Sequence, residues 1–323
     1  MTTILPKFRH TLRLLLLGGF AIAVLLFASA PGAFAQQNYQ QDYKTPQDAV
    51  DALVSAARSG DEKALLAVFG PGGDDIVSSG DKVADETARK GFVAAYDAKH
   101  RIEMKGQHKA ILIVGDSDYP FPIPLERVKG GLWSFDVDEG RDEILYRRIG
   151  RNELDTAESC LAYVDAQNEY AAKDRTGAGV GVYAQRLISE PGKKDGLYWP
   201  AAQGEDESPL GELFADASRE GYKIGQGRAP YHGYYYKILT KQGPGAPGGA
   251  ENYVVNGKMI GGFALVAYPA QYRNSGVMTF IVNYSGTVFQ KDLGPNTAEI
   301  AEAMTAYNPD HTWRAVEVTD PVN

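Results

Sequence analysis

The stretch Ala110-Ile111-Leu112-Ile113-Val114 marks the point at which the apolar pattern of this 323-residue chain changes. Before it, apolar residues recur at steps of three and four, which is typical of helices packed on one face. After it, short apolar or alternating runs are separated by Gly and Asp turns, which is typical of antiparallel strands. Helices followed by a run of strands predict an α+β fold.

The first predicted domain covers residues 45–151. Its first helix is expected to begin at Thr45-Pro46, because Thr is a favoured cap and Pro a favoured first helical residue. Two more helices are predicted at 62–69 and 85–99. The strands of this domain are predicted at 110–114, 121–125, 132–136 and 143–147. At the level of fold, a cystatin-like or nuclear-transport-factor-2-like sheet wrapped over helices fits this order.

The second predicted domain covers residues 152–323 and is also α+β. Glu153 to Lys173 carries an apolar stripe that includes Cys160, so a helix with one buried face is expected there. Cys160 is the single cysteine of the chain, and its place on that stripe predicts a buried, unreactive thiol. Four antiparallel strands are predicted at 234–239, 262–268, 277–283 and 288–291, the last two forming a hairpin.

The first 35 residues have the three-part order of a secretory signal peptide. Lys7, Arg9 and Arg13 precede the apolar stretch 14–27, and Ala33-Phe34-Ala35 is a small-residue cleavage site. Cleavage after Ala35 is predicted, followed by a disordered leader over residues 36–44 and a periplasmic or secreted product. The alternative is an uncleaved anchor, although the apolar core is short for a span of about 20 residues.

The composition is acidic, with a formal net charge of −8 that becomes more negative once the basic leader is removed. An acidic surface argues against nucleic acid and against anionic membranes as partners. We expect no membrane span after signal cleavage, and as partner an envelope protein or a surface ligand.

Four stretches resemble an uncharacterised family of exported bacterial proteins, the domain of unknown function 2950. They are residues 147–154, 183–189, 195–200 and 230–236. The resemblance implies an exported bacterial protein and assigns no activity.

The second half also resembles the globular heads of type IV pilins and pseudopilins. The stretches concerned are 157–170, 262–269, 275–280 and 283–286. A pilin assembles through an apolar N-terminal helix that is continuous with its spine helix, whereas here a whole domain precedes the spine-like helix. The resemblance therefore implies a pilin-like head fold and leaves open whether this half docks into a filament.

An acidic segment provides the candidate metal ligands. Asp136, Asp138 and Asp142 surround Gly140, and carboxylate oxygens at alternate positions suit calcium. The loop lacks a further Asp or Asn before the glycine and a Glu at the closing position. An acidic turn between two strands is therefore predicted, with no metal and no cofactor.

His232 is the candidate catalytic residue. It stands among tyrosines, including Tyr231 and Tyr235, and such a cluster can present a general base or a polar aromatic surface. The alternative is a strand whose tyrosines alternate between core and surface. The sequence contains neither a nucleophile elbow nor a phosphate-binding glycine loop.

Two further groups are candidate binding residues. Tyr198 and Trp199 end a long loop and are of residue types favoured at contact sites. Arg148 belongs to a basic cluster at the predicted domain junction, suited to ion pairs that fix the domains or to binding an anion.

Two functions follow from these residues. The favoured one is a non-enzymatic binding or interaction module, and the alternative is a hydrolase whose site forms around His232. A deep pocket containing His232 and a carboxylate within hydrogen-bond reach would favour the enzyme.

Overall fold

The computed structural model describes residues 40–202, 204–223 and 229–316. The predicted signal peptide (1–35) and residues 36–39 of the predicted leader lie outside these ranges. Within them, no helix combines the length and the apolar character needed to cross a membrane.

The helices lie mainly before the first strand and at the centre of the chain. They are α1 (Pro46–Ser59), α2 (Glu62–Phe69), α3 (Asp74–Val77), α4 (Lys82–Ala98), α5 (Val137–Ala171), α6 (Gly211–Glu220) and α7 (Thr297–Ala303). Thr45 caps α1 as predicted. The Asp48 N–H donates to its hydroxyl at 3.1 Å, while the Asp48 carboxylate accepts from the Thr45 N–H at 3.1 Å.

The strands of the first half form one antiparallel sheet in the order β1-β2-β4-β5, with β3 paired to β2. They are β1 (His100–Lys105), β2 (Lys109–Val114), β3 (Tyr119–Pro120), β4 (Leu125–Arg127) and β5 (Trp133–Phe135). Helix α1 packs on α2 and α4, and together with the sheet these helices enclose the first core, which includes Val50, Phe69 and Leu112.

The strands of the second half form another five-stranded antiparallel sheet, in the order β15-β13-β12-β11-β6, together with smaller pairings. They are β6 (Tyr234–Leu239), β7 (Lys241–Gln242), β8 (Glu251–Asn252), β9 (Val254–Val255), β10 (Lys258–Met259), β11 (Ala264–Pro269), β12 (Met278–Asn283), β13 (Phe289–Asp292), β14 (Ala306–Tyr307) and β15 (Arg314–Ala315). The four predicted strands are confirmed as β6, β11, β12 and β13, and so is the α+β fold.

Helix α5 contributes to both cores. Its first turns place Val137 in the first core, and its later turns place Cys160 and Tyr163 in the second, against β11 and β12. The boundary predicted between residues 151 and 152 falls inside this helix.

The strand predicted at 143–147 is wrong, as is the helix start predicted at Glu153, because α5 already begins at Val137. The alternation of Ile144 and Tyr146 favoured a strand, but Tyr146 is 69% exposed. Glu, Leu and Arg are good helix formers, and Glu143 pairs with Arg147 one turn later at 2.6 Å.

Residues 40–44, predicted to be disordered, add to the first sheet. The Tyr43 N–H donates to the Trp133 carbonyl at 2.8 Å, and the Trp133 N–H donates back to Tyr43 at 2.7 Å. The side-chain amide of Gln40 donates to the Phe135 carbonyl at 2.6 Å. A polar segment without periodicity is thus held by backbone pairing at a strand edge, which composition does not reveal.

Two glycines of α5 predict opposite effects of the same substitution. A Cβ on Gly140 would lie 2.5 Å from the Pro122 carbonyl oxygen, whereas a Cβ on Gly150 meets nothing within 4 Å. We expect Gly140→Ala to lower the free energy of unfolding by about 1–3 kcal/mol through overpacking. Gly150→Ala should raise it by roughly 0.5–1 kcal/mol through helix propensity. Urea denaturation of both variants checks this, and a Gly140→Ala variant at least as stable as the wild type would contradict the close packing of α5 at Gly140.

Candidate functional site

A buried carboxylate connects the first half of the chain to the site. Asp81 is 1% exposed. Its Oδ1 accepts from the Val83 and Ala84 N–H groups at 3.1 Å each, which caps α4. Its Oδ2 accepts from the Tyr222 hydroxyl at 2.8 Å and from the Gly233 N–H at 2.9 Å. One side chain thereby fixes Tyr222, two residues after α6, and the turn before β6 against the start of α4.

His232 occupies a tight turn that leads into β6. Tyr231 and Tyr234 exchange backbone hydrogen bonds at 2.9 and 3.1 Å across it. His232 and Gly233 between them have φ angles of 49° and 74°, the combination required by a type I′ hairpin turn. A Cβ on Gly233 would also lie 2.5 Å from Nδ2 of Asn152. Both the positive φ angle and this close contact therefore require glycine at position 233.

The imidazole of His232 lies between two carboxylates. Its Nδ1 is 3.2 Å from Oδ2 of Asp155 on α5, and its Nε2 is 3.5 Å from Oε2 of Glu220 at the end of α6. Burial lowers the pKa of His232, but the hydrogen bond and charge of Asp155 and the charge of Glu220 outweigh it, so the pKa is raised. Since only an imidazolium donates from both nitrogens, the geometry fits the protonated ring, which ties α5 to α6.

Beside this turn lies a cavity of ≈ 150 Å³, here called the aromatic cavity. Its aromatic walls are Tyr163, Phe214, Tyr222, Tyr231 and Tyr236. Aliphatic side chains complete it, among them Leu187, Ile188, Leu213 and Leu265. An apolar space of about this size accepts a benzene-sized molecule.

Tyr231 joins the aromatic cavity to His232. Its ring centroid is 4.1 Å from that of His232 and 5.1 Å from that of Tyr222, with edge-on geometry in both pairs. Burial raises the pKa of Tyr231 to about 12, so its phenol is neutral at physiological pH. The Tyr231 side of the cavity wall is therefore packed against His232, which is held by its two carboxylates.

The other predicted aromatic contact residues lie mainly in the second core. Trp199 is 4% exposed, and its indole N–H donates to the Asp206 carbonyl at 3.0 Å. The surface contact expected of Trp199 is thus replaced by packing, because its loop folds back over the core. Tyr198 stacks on Phe214 at 4.4 Å, so it supports the aromatic cavity from outside. Tyr235 packs on Tyr268 at 5.8 Å.

Arg148 lies where the two halves meet. Its guanidinium donates to the carbonyls of Asp75 and Ile76 at 2.6 and 2.8 Å, and also to the side-chain oxygen of Asn274. Burial lowers the pKa of Arg148, and the charges of Asp85 and Asp75 oppose that shift. Arg148 therefore contacts carbonyl and amide oxygens, whereas ion pairs or a bound anion were predicted for it.

The acidic segment around Gly140 is the first turn of α5, which corrects the turn predicted between two strands. Asp136 caps the helix by accepting from the Glu139 N–H at 3.2 Å. Its carboxylate lies within 4.8 Å of those of Glu126 and Glu139, a grouping that leaves out the other two predicted ligands, Asp138 and Asp142. Lys109 pairs with Glu139 and offsets part of that charge.

Cys160 is fully buried, as predicted, and burial raises the pKa of its thiol to about 12. Asp81, Asp155, Glu220 and Tyr222 were not identified from the sequence. Asp81 carries the signal of a helix cap, but its partners are more than a hundred positions away along the chain.

The described residues define an α+β protein whose two apolar cores share one helix. An aromatic cavity lies in it beside a cluster of a histidine and two carboxylates. The chain belongs to the family described as "Protein of unknown function (DUF2950)", whose model matches residues 40–316. No curated protein and no solved structure matches it.

The raised pKa of His232 predicts a pH-dependent stability. A group whose pKa is higher in the folded state stabilises that state fully below its unfolded pKa, about 6.5, and loses the effect as pH rises through the folded pKa. His232→Asn keeps a residue tolerated at positive φ and removes the ring. We expect it to lower the free energy of unfolding by about 1 kcal/mol at pH 5.5 and by less at pH 8.5.

The measurement is urea denaturation across this pH range, with His108→Asn as control because His108 is exposed. A deficit of His232→Asn that is the same at every pH would show that the ring is not held as an imidazolium.

Proposed function

We propose that this chain is an exported, non-enzymatic binding protein that holds a small, largely apolar ligand in the aromatic cavity. The observation that carries the proposal is the cavity itself, which is walled by five aromatic side chains with few polar groups among them. Sites for small molecules are typically concave and mainly apolar, with a few placed polar groups. Here Ser159 and Lys223 are among the polar residues of the wall.

The His232 contacts favour binding over catalysis. A general base needs a free lone pair directed at the substrate, whereas both nitrogens of this ring face carboxylates. The residue that lines the cavity is Tyr231, and His232 supports it from behind.

A hydrolase is the second candidate, and one observation favours it. Asp155 lies 3.2 Å from Nδ1 of His232, which is how a carboxylate orients a catalytic histidine. Such an enzyme would need Glu220 to move from Nε2 before the ring accepts a proton.

A cavity-filling variant tests the binding site. Ala217 lines the aromatic cavity, while Ala215 on the same helix is exposed. With indole as the probe, we expect the protein and Ala215→Phe to show the same saturable NMR shift changes. Ala217→Phe should bind indole at least about ten-fold more weakly, equivalent to about 1.4 kcal/mol, because the new ring fills the space.

Hydrolysis of p-nitrophenyl acetate separates the two candidates. The binding proposal expects His232→Asn to leave any hydrolysis at the wild-type rate. Turnover by the wild type that disappears in His232→Asn would replace the binding proposal with the hydrolase.

Export is supported by the order of charges, apolar residues and small residues over positions 1–35. When the whole chain is expressed in a Gram-negative bacterium, we expect a periplasmic or secreted product that begins at Gln36. Ala33→Lys should block this processing, because the cleavage site requires small side chains. N-terminal sequencing of the fractions decides, and a product that starts upstream of Gln36 would favour the uncleaved anchor.

The fold analogies belong to the same proposal. Helices α1, α2 and α4 on an antiparallel sheet support a cystatin-like or nuclear-transport-factor-2-like first half, and α5 across β11 and β12 supports a pilin-head-like second half. A head built on a long helix suits a partner in the cell envelope, and this is the kind of partner that we propose.

A further inference from the structure

A second cavity lies among the helices of the first half. It measures ≈ 220 Å³, and its apolar walls include Leu53, Leu65, Phe69, Phe92, Phe121 and Ile144. Three arginines, Arg89, Arg148 and Arg151, also line it, and it is here called the arginine cavity. It differs from the aromatic cavity in having three guanidinium groups beside its apolar wall.

Arg89 on α4 supplies the main observation. Its Nη1 is buried and has no hydrogen-bond partner among the described residues. A buried donor without a partner costs about 1–3 kcal/mol, and more when the group is charged. Arg89 lines the cavity, so the cost is removed when its guanidinium turns Nη1 toward an acceptor there, and a carboxylate is the best match for a guanidinium.

The other charges of the arginine cavity do not cancel its positive charge. Asp85 lines it, but both its oxygens accept from the Ser79 N–H, at 3.1 and 3.0 Å, and its charge favours the charged form of Arg148. Arg151 is exposed at the rim, and its positive charge lowers the pKa of Arg148. Arg89 and Arg151 thus remain as positive charges beyond the one that Asp85 offsets.

Two other acidic groups that interact with these arginines, Glu86 with Arg89 and Asp75 with Arg148, are already paired. Glu86 pairs with Lys90 at 2.6 Å, and Asp75 pairs with Arg141. The charge left for a ligand is positive and the surrounding wall is apolar, so an inorganic anion would leave most of the wall uncovered.

We propose that the arginine cavity binds a small amphipathic carboxylate, with its apolar part against Phe69, Phe92 and Phe121 and its carboxylate on Arg89. Guanidinium and carboxylate form paired, planar hydrogen bonds, and Arg151 at the rim adds attraction during entry. This site is separate from the aromatic cavity and does not depend on the function proposed for it.

Three eight-carbon probes test the charge requirement by calorimetry on the mature chain. We expect octanoate to bind with saturation, octan-1-ol at least about ten-fold more weakly, and octylamine not measurably, because only the carboxylate satisfies Arg89. Arg89→Met keeps the length of the side chain and should lower octanoate affinity at least about ten-fold while leaving octan-1-ol unchanged. Lys90→Met is the matched control, since Lys90 is exposed beside Arg89 and pairs with Glu86.

Two more variants locate the site. Ala84→Phe, which places a ring in the arginine cavity, should remove binding of both octanoate and octan-1-ol. Ala217→Phe, in the aromatic cavity, should leave octanoate binding intact. A circular dichroism melt of each variant establishes that it is folded.

Several results would overturn the proposal. Equal binding of octanoate and octan-1-ol would show an apolar cavity without an anion site. Binding of phosphate with no advantage of octanoate over acetate would show an anion site without an apolar one. Unchanged octanoate affinity in Arg89→Met, or no octanoate binding by the wild type, would also reject it.

Discussion

The carboxylate of Asp81 is the interaction on which the rest of the structure depends. Burying an anion is costly unless its oxygens are hydrogen-bonded, and here each oxygen of this almost fully buried side chain accepts two donors. Two donors belong to the start of α4, and the other two, from Tyr222 and Gly233, lie next to the aromatic cavity. This one acidic residue therefore connects the residues around that cavity to the start of α4.

The two cavities show how similar elements produce different chemistry. Helix α5 lines both, through Arg148 and Arg151 in one case and through Ser159 and Tyr163 in the other. In the aromatic cavity, Lys223 is the only charged residue among the described residues of the wall, and His232 lies beside Tyr231 between the carboxylates of Asp155 and Glu220. In the arginine cavity, charge lies in the wall itself, and a nitrogen of Arg89 stays unpaired among the described residues. The first arrangement suits apolar ligands and the second suits anions with an apolar part.

Local patterns predicted what local forces decide. Three such patterns predicted their elements correctly: the cap at Thr45, the apolar steps of α1 and the run at Ala110–Val114. They succeeded because neighbouring residues along the chain determine these elements. Alternation misled at 143–147, where helix propensity and an ion pair one turn apart prevail. Tyr231 and His232 were identified by their aromatic surroundings. Their partners Asp155 and Glu220, and the partly buried Arg89, were missed because only tertiary folding brings those charges to their sites.

Helix α5 also affects how this family can evolve. Its 35 residues supply side chains to both cores, and the predicted boundary lies in its middle. Recombination that exchanged either half at that point would split a continuous helix and expose the apolar face that it covers. The single family model likewise runs through both halves, from residue 40 to residue 316.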